Sequence, residues 1–417
     1  MNSWRGRWPI ILAIGVGVAV FAAAYVTTGS TYRAWRFLGV PSMSPSFADL
    51  RAITQGIDCF RSGRDPYIDA SCDAFGRLYN YPSLWLHFGA FGISGANTNL
   101  IGAVFILLIL ASLLSIFKTS TLEGGAIAFT AATAPPVMLG LERGNSDMLI
   151  FSLIVLGIRL IYFISDSLRK EPSIGAISTL IFTLTLLKLY PIAGILSVAR
   201  WKHGYSAVIL TVLVSAAVLI FGYGTTQLSA IAMNTPQSRT LSYGAMPLFI
   251  AMGEAGVFSI SIERMRLAAS LTALAIGGLS ILGSLYKPEF LYKYTAPLNQ
   301  RSARSTIALA SLAIFCFTFV MGSSWIYRLI FLLGTLPATI EAYDRTRRKT
   351  LLIFPIVFVG YCWLSRLSPY MPASLVIVQE LLDWVLFAFG CAWLANTVFP
   401  QLYGGPAVSA ERAAELG

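Results

Sequence analysis

An all-α protein that crosses a membrane many times is what the composition of this chain demands. Of its 417 residues, 56% are hydrophobic and only 12% are charged, and the mean hydropathy is +0.71. Soluble globular proteins carry about 25% charged residues, so a chain this poor in charge has lipid as its main solvent. Apolar runs of about 20 residues, the length that spans a hydrocarbon core, recur along most of the sequence. The remaining charges collect in short loops between those runs.

The first run, 8–27, follows "MNSWRGR", and Ala22–Ala24 would suit a cleavage site. It is longer than a signal-peptide core and reads as an uncleaved anchor. Residues 28–80 form the first long hydrophilic stretch. Within it, Phe47, Leu50, Ile53 and Ile57 recur at helical spacing, which predicts an amphipathic helix on the bilayer surface, with Ser46 placed to cap it. Further apolar runs cover 98–117, 147–165, 206–223, 266–285, 305–321, 326–340, 350–367 and 374–398, and a second hydrophilic stretch covers 224–264. Two segments leave the count open. Either 81–95 and the stretch around Pro135-Pro136 both enter and return, or 81–95 lies on the surface and 124–140 is a full span. The expectation is one membrane domain over 1–400 with about 11–13 transmembrane helices, and a cytoplasmic tail over 401–417. Internal repeats, linkers and low-complexity tracts are absent.

The net charge of +11 does not point to nucleic acid, because the basic residues lie in "SLRK" (167–170), "RWKH" (200–203), "RSAR" (301–304) and "DRTRRK" (344–349). Short Lys/Arg-rich loops mark the cytoplasmic side. Counting spans from them puts 28–80, 142–147, 224–264 and 323–328 together on the outer side. Only 26 residues, 174–199, separate two of the cytoplasmic loops, and at 1.5 Å rise they cover about 39 Å, too little for two full crossings. Pro191 breaks a helix near the middle, so the segment reads as a span rising to Lys188 and a short return. Irregular backbone at that depth is tolerated where it is buried or lines a cavity, which makes "KLYP" (188–191) a candidate site.

Asp49 falls in the first turn of the amphipathic helix, either as a helix-dipole carboxylate or as a general base. Lys188 is an intramembrane lysine, which either snorkels to the headgroups or pairs with an anion. Asn145 and Asp147 read as a helix cap or as site residues. Trp325 and Tyr327 belong to an interface belt, and Arg328 is a charge just inside a span and a candidate phosphate ligand. Arg239 is a phosphate contact or an ordinary loop charge, and Asp65 before Pro66 punctuates a turn. Cys59 and Cys72 share the first outer loop and would form a disulfide in an oxidising periplasm. With two histidines and no CxxC, a metal site has little to build on. A Walker A loop, a GxGxxG phosphate cradle and a Ser-His-Asp set are all lacking, which argues against an ATP-driven pump.

The order of motifs, with Asp49 after the first span, then "GRDPY" (63–67), "YNYPSLW" (79–85), "LERGN" (141–145), "KLYP" and a late outer Ser-Trp, resembles glycosyltransferase family 87 over roughly residues 8–345. Those are GT-C-fold transferases that use polyprenyl-phosphate sugars, bacterial mannosyltransferases among them. The resemblance implies a GT-C fold and an inverting hexosyl transfer at the periplasmic face of a bacterial inner membrane. It implies Asp49 as the base, Lys188 facing the lipid-linked phosphate, and Gly144 and Asn145 lining the same cavity. Tyr190, Tyr81, Asp65, Trp325, Tyr327, Arg328 and Arg239 complete the candidate donor-binding set. Where the mannosyltransferase branch has histidine after Ser-Trp, this chain has Tyr327 and Arg328, so the sugar stays open. No metal or other cofactor is implied. The expected partners are the lipid-linked donor, membrane lipids and a glycan or glycolipid acceptor. A lipid-linked oligosaccharide polymerase or ligase, and a lipid or solute transporter, are the alternatives.

Overall fold

Trp8–Thr28 carries no charge, and four-fifths of its central window faces outward rather than into the protein, since only 17% of it is buried. The same holds around the molecule: Val26, Phe163, Phe221 and Leu100 are all more than two-thirds exposed. Apolar surface on this scale is stable against lipid tails and not against water. The structure, a computed structural model, describes residues 5–236, 238, 240–286, 291, 301–322 and 324–399; Arg239 and the 401–417 tail lie outside them. Among the described residues, nine helices are long and apolar enough to cross a membrane. They are Trp8–Thr28, Gly95–Ile116, Leu122–Arg143, Ser146–Ser167, Gly204–Asn234, Ile262–Tyr286, Ala303–Val320, Lys349–Leu367 and Leu375–Val398. The chain is an all-α polytopic membrane protein.

The expected 11–13 spans also counted 174–199 and 326–340, and both are built from shorter pieces. Ile174–Leu187 is an α-helix of 14 residues, about 21 Å long. The chain turns at Lys188 and returns as a nine-residue 3-10 helix, Tyr190–Val198, led by Pro191. A 3-10 helix rises about 2.0 Å per residue, so nine residues reach about 18 Å and bring the chain back to the end it started from. Residues 326–340 are divided among Ile326–Leu329, Ile330–Leu333 and the start of Leu336–Thr346. Ile330, Phe331, Leu332 and Leu336 are all fully buried, so this broken segment is enclosed by protein, as irregular backbone in a bilayer must be. Of the two readings of 81–140, the structure has the second: 84–91 forms two short helices. Leu122–Ala132 and Pro135–Arg143 stack as one span, broken where Pro135 has no N–H to donate.

The helices give the molecule two dissimilar ends. At one end the basic loops meet: Glu171 pairs with Arg301 at 4.0 Å and Arg304 pairs with Glu341. There Arg200 Nη2 donates to Ser305 Oγ at 3.3 Å, and Asp344 accepts from Ser120 N and Thr121 Oγ1. Ser146–Ser167 reaches that end from the other, 22 residues or about 33 Å away. At the far end, Ser242–Tyr243 pairs antiparallel with Ser324–Trp325, Ser242 opposite Trp325. This two-residue ladder joins the second hydrophilic stretch to the broken segment. Ala303–Val320, the most buried of these spans at 78%, occupies the centre.

Candidate functional site

Ala48–Arg61 positions the first carboxylate. It is amphipathic as the spacing predicts, burying Leu50, Ile53 and Ile57 on one face. Ser46 is not its cap: its hydroxyl bonds Thr31 Oγ1 at 3.1 Å. Phe47 stands at the helix start instead, with φ 60°, a left-handed backbone that is unfavourable for a bulky residue. Packing holds it there. The Phe47 ring lies where a Cβ on Gly102 or Gly144 would come within 2.6 or 3.0 Å, and its N–H donates to Glu142 O. Gly144, at φ 59°, ends Pro135–Arg143 in the left-handed conformation that only glycine adopts freely. The turn that follows therefore delivers Asn145 beside Asp49.

Asp49 is buried, 8% exposed as a residue, and its carboxylate is held from two sides. Asn145 Nδ2 donates to Oδ2 at 2.6 Å and Arg77 Nη1 donates to Oδ1 at 3.1 Å. Asn145 caps Ser146–Ser167 at the same time, accepting from Asp147 N at 2.7 Å. The helix cap and the site residue are thus one side chain. Arg77 is itself clamped, donating to both Asp73 oxygens at 2.7 and 3.1 Å and to Ala48 O at 2.6 Å. Burial pulls its pKa down, but the Asp73 hydrogen bond and the charges of Asp49 and Asp73 outweigh that and hold the guanidinium above its ordinary value. Each Asp49 oxygen makes one such bond and has a second lone-pair site for a hydroxyl.

Asp147 is the second centre, fully buried. Lys188 pairs with its Oδ1, Arg328 Nε donates to Oδ2 at 2.8 Å, and Tyr190 Oη donates to Oδ1 at 2.5 Å. Lys188 also donates to Ser146 Oγ at 2.9 Å and lies 5.2 Å over the Tyr81 ring. Arg328 Nη1 donates to Ser324 Oγ at 2.8 Å, and its guanidinium lies 5.1 Å over the Tyr190 ring. One carboxylate therefore serves two cations, a surplus of one positive charge. Tyr81 adds a hydroxyl. Its burial, then the charge of Asp49, keeps that phenol well above its ordinary pKa and protonated at neutral pH. A third pair, Glu142 with Arg143 at 3.1 Å, closes the group.

These residues enclose a cavity of about 260 Å³. Its charged lining is four cations, Arg77, Arg143, Lys188 and Arg328, and one carboxylate, Asp49. The carboxylates that balance those cations, Asp73, Glu142 and Asp147, stand behind them and outside the lining. The cavity therefore presents a positive wall with a single base in it. Trp325 and Tyr327, their rings stacked at 6.3 Å, and Asn80, Asn234 and Thr235 complete it.

Of the residues expected at the site, Asp49, Lys188, Tyr81, Trp325, Tyr327 and Arg328 share this cavity. Asn145 and Tyr190 lie directly behind it, holding Asp49 and Asp147. Asp65 stands apart. It accepts from Tyr67 N at 2.9 Å and lines a separate cleft with Arg64, Ser83 and Gln227, because the turn that Pro66 imposes points it away. The Tyr67 that follows does serve the site wall, donating to Tyr81 O at 2.6 Å. Cys59 and Cys72 are bonded to each other, with Cα atoms 5.5 Å apart, tying the helix that carries Asp49 to the loop that carries Asp73 and Arg77. Sequence reading missed Arg77 and Arg143, and weighed Asp147 as a cap or a site residue without placing two cations on it. For Arg77 one signal was present, Asp73 four residues before it.

No protein-family model matches the chain, and no curated protein or solved structure matches it either. The site's chemistry is therefore read from its own groups. A lone carboxylate among fixed cations can take a proton from a hydroxyl while the cations receive a phosphate or another oxyanion.

Proposed function

We propose that the protein is a membrane glycosyltransferase, moving a hexose from a polyprenyl-phosphate donor to an acceptor hydroxyl with inversion. The observation that carries the reading is the cavity's charged lining, four cations and one carboxylate with its counter-ions set behind. In the proposed reaction the donor phosphate lies against Lys188 and Arg328. Asp49, held by Arg77 and Asn145, accepts the proton of the acceptor hydroxyl. The hydroxyl oxygen bonds the anomeric carbon as the bond from that carbon to the phosphate oxygen breaks, and polyprenyl phosphate leaves. Negative charge then grows on the phosphate, where fixed cations stabilise the transition state more than the ground state. The proposed step draws on side-chain cations and on no metal ion.

The basic loops gathered at the opposite end support an orientation with that end cytoplasmic. The site then faces the periplasm of a bacterial inner membrane, where a Cys59–Cys72 disulfide is stable. A second reading, a polymerase or ligase of lipid-linked oligosaccharides, is favoured by one observation: Arg77 from the first hydrophilic stretch and Arg143 from the end of Pro135–Arg143 line the cavity and would suit a diphosphate donor.

The test is transfer by purified protein in nanodiscs, offered polyprenyl-phosphate and polyprenyl-diphosphate sugars, with Asp49→Asn beside wild type. The expected result is transfer from a monophosphate donor that falls by about 10³-fold in Asp49→Asn while donor binding persists. Undiminished transfer in Asp49→Asn would overturn the base, and transfer only from diphosphate donors would favour the second reading.

A further inference from the structure

Ala373–Val398 runs from the end where the site lies to the basic-loop end, where Tyr205 Oη donates to Val398 O at 3.1 Å. One face of it turns to the protein core, and Val376 and Phe387 on that face are buried. Gln379, Glu380, Asp383 and Trp384 share the face, at i, i+3 and i, i+4 spacing. All four are buried, and Glu380 and Asp383 have no exposed surface at all. At 1.5 Å rise, Glu380 stands about 10 Å inward from Ala373. A carboxylate at such depth is costly to ionise and is kept where it has a partner.

The partners at hand do not balance these two. Tyr361 Oη donates to Asp383 Oδ2 at 2.6 Å. Asp383 Oδ1 and both Glu380 oxygens accept nothing among the described residues, and no lysine or arginine there pairs with either. The two carboxyls nonetheless lie within hydrogen-bond reach of each other. Like charges that close, where water does not screen them, repel strongly unless something positive lies between them. A second observation comes from outside the pair. Gln379 Oε1 is an amide oxygen without a donor, on a residue 2% exposed, and position 379 is one helical turn from Asp383. Four acceptor oxygens thus share one dry face, and the uncommitted donor beside them is Trp384 Nε1. Buried acceptors are rarely left unsatisfied, and a surplus of oxygens over N–H and O–H groups is the arrangement a cation requires.

We infer that Gln379, Glu380 and Asp383 hold a divalent cation, and that the cation is calcium. Two carboxylates balance two positive charges. The donors are all oxygen, which suits a hard cation rather than zinc or copper. Calcium accepts about six to eight oxygens in loose geometry, whereas magnesium demands an octahedron and keeps its water. Glu380 through both oxygens, Asp383 through Oδ1 and Gln379 through Oε1 supply four of them, and water completes the shell. The cation braces the wall of the candidate site. Tyr361 ties Asp383 to Ile353–Leu364. Trp384 packs edge-on against Phe319 at 5.1 Å, and Phe319 leads through Phe315 to Tyr243 at 6.4 and 5.6 Å. Tyr243 pairs with Ser324 in the ladder that sets Trp325 in the cavity. The cation site is independent of the transferase chemistry.

The experiment uses full-length protein in phosphatidylcholine nanodiscs, stripped with EDTA and then dialysed against calcium, magnesium or sodium ions. Metal content is read by mass spectrometry and stability by the thermal unfolding midpoint. The expected result is one calcium ion per chain and a midpoint a few degrees above that of stripped protein, since a ligand bound only to the folded state stabilises it. Magnesium gives a smaller shift and sodium none. Glu380→Gln/Asp383→Asn keeps the shapes and removes both charges, so it folds without the cation, binds no calcium and has a midpoint that no longer responds. Gln379→Leu leaves both carboxylates in place and weakens calcium binding by about tenfold. Wild type that holds no calcium and ignores all three ions overturns the site; a midpoint that then falls as pH rises, in wild type and not in the double variant, assigns the pair to a proton instead. Calcium that stays on the double variant lies elsewhere and also overturns the site. Tighter binding of magnesium than of calcium overturns the choice of ion.

Discussion

Asp147→Asn isolates the interaction on which the positive wall depends. The substitution is nearly isosteric, so it opens no cavity and removes only the charge. Asp147 is fully buried, and the side chains of Lys188 and Arg328 are only 12% and 15% exposed, which excludes the solvent-screened regime where an ion pair contributes at most about 1 kcal/mol. Removing one partner of a buried pair leaves a charge uncompensated and costs about 3–5 kcal/mol. Here two cations lose their shared anion, so the upper part of that range is expected. The assay is equilibrium unfolding of the full chain in mixed detergent–SDS micelles, followed by tryptophan fluorescence. Asp147→Asn/Lys188→Met, which removes the stranded cation as well, is expected to be more stable than Asp147→Asn alone, because contacting charges are not additive. A short-chain prenyl phosphate is expected to restore more stability to Asp147→Asn than to wild type, by replacing the missing anion. A loss below about 1 kcal/mol, or a double variant costing the sum of the singles, would refute the counter-ion role.

Three further outcomes follow from the same geometry. Arg77→Leu frees one side of Asp49 and is expected to lower kcat about 100-fold, as a misplaced catalytic group does, with donor binding little changed; initial rates against donor concentration check it. Gly144→Ala imposes a left-handed backbone on a residue with a Cβ, about 1–2 kcal/mol, and presses on Phe47 at 3.0 Å, so both stability and transfer should fall together in a thermal and an activity assay. Cys59→Ser opens a loop with a sequence separation of 13, expected to cost about 3 kcal/mol; wild type treated with reductant should shift equally, and an unchanged midpoint would count against the disulfide.

Much of the architecture was legible because hydropathy is a local property. Each apolar run announces a helix by length alone, and Pro135 and Pro191 mark breaks because a missing N–H acts within one turn. The turn at Lys188 followed from arithmetic, 26 residues against two crossings. The gathering of Asp49, Lys188 and Arg328 at one end followed from parity, since every span carries the chain to the opposite side. The fragmentation of 326–340 was not legible, because an apolar run reads alike whether it meets lipid or the protein's own core.

Composition and spacing alone determined that this chain is a multi-pass membrane protein, most of the segments long enough to cross, and that its unusual charges meet at one end. Which charge answers which was decided only in three dimensions. Asp49 is 28 residues from Arg77 and 96 from Asn145, and Asp147 is 181 from Arg328. Nothing local distinguishes a helix-capping aspartate from one that anchors two cations. The difference arises when packing removes water from around the carboxylate, so that its energy depends on the few charges that helix geometry brings within reach.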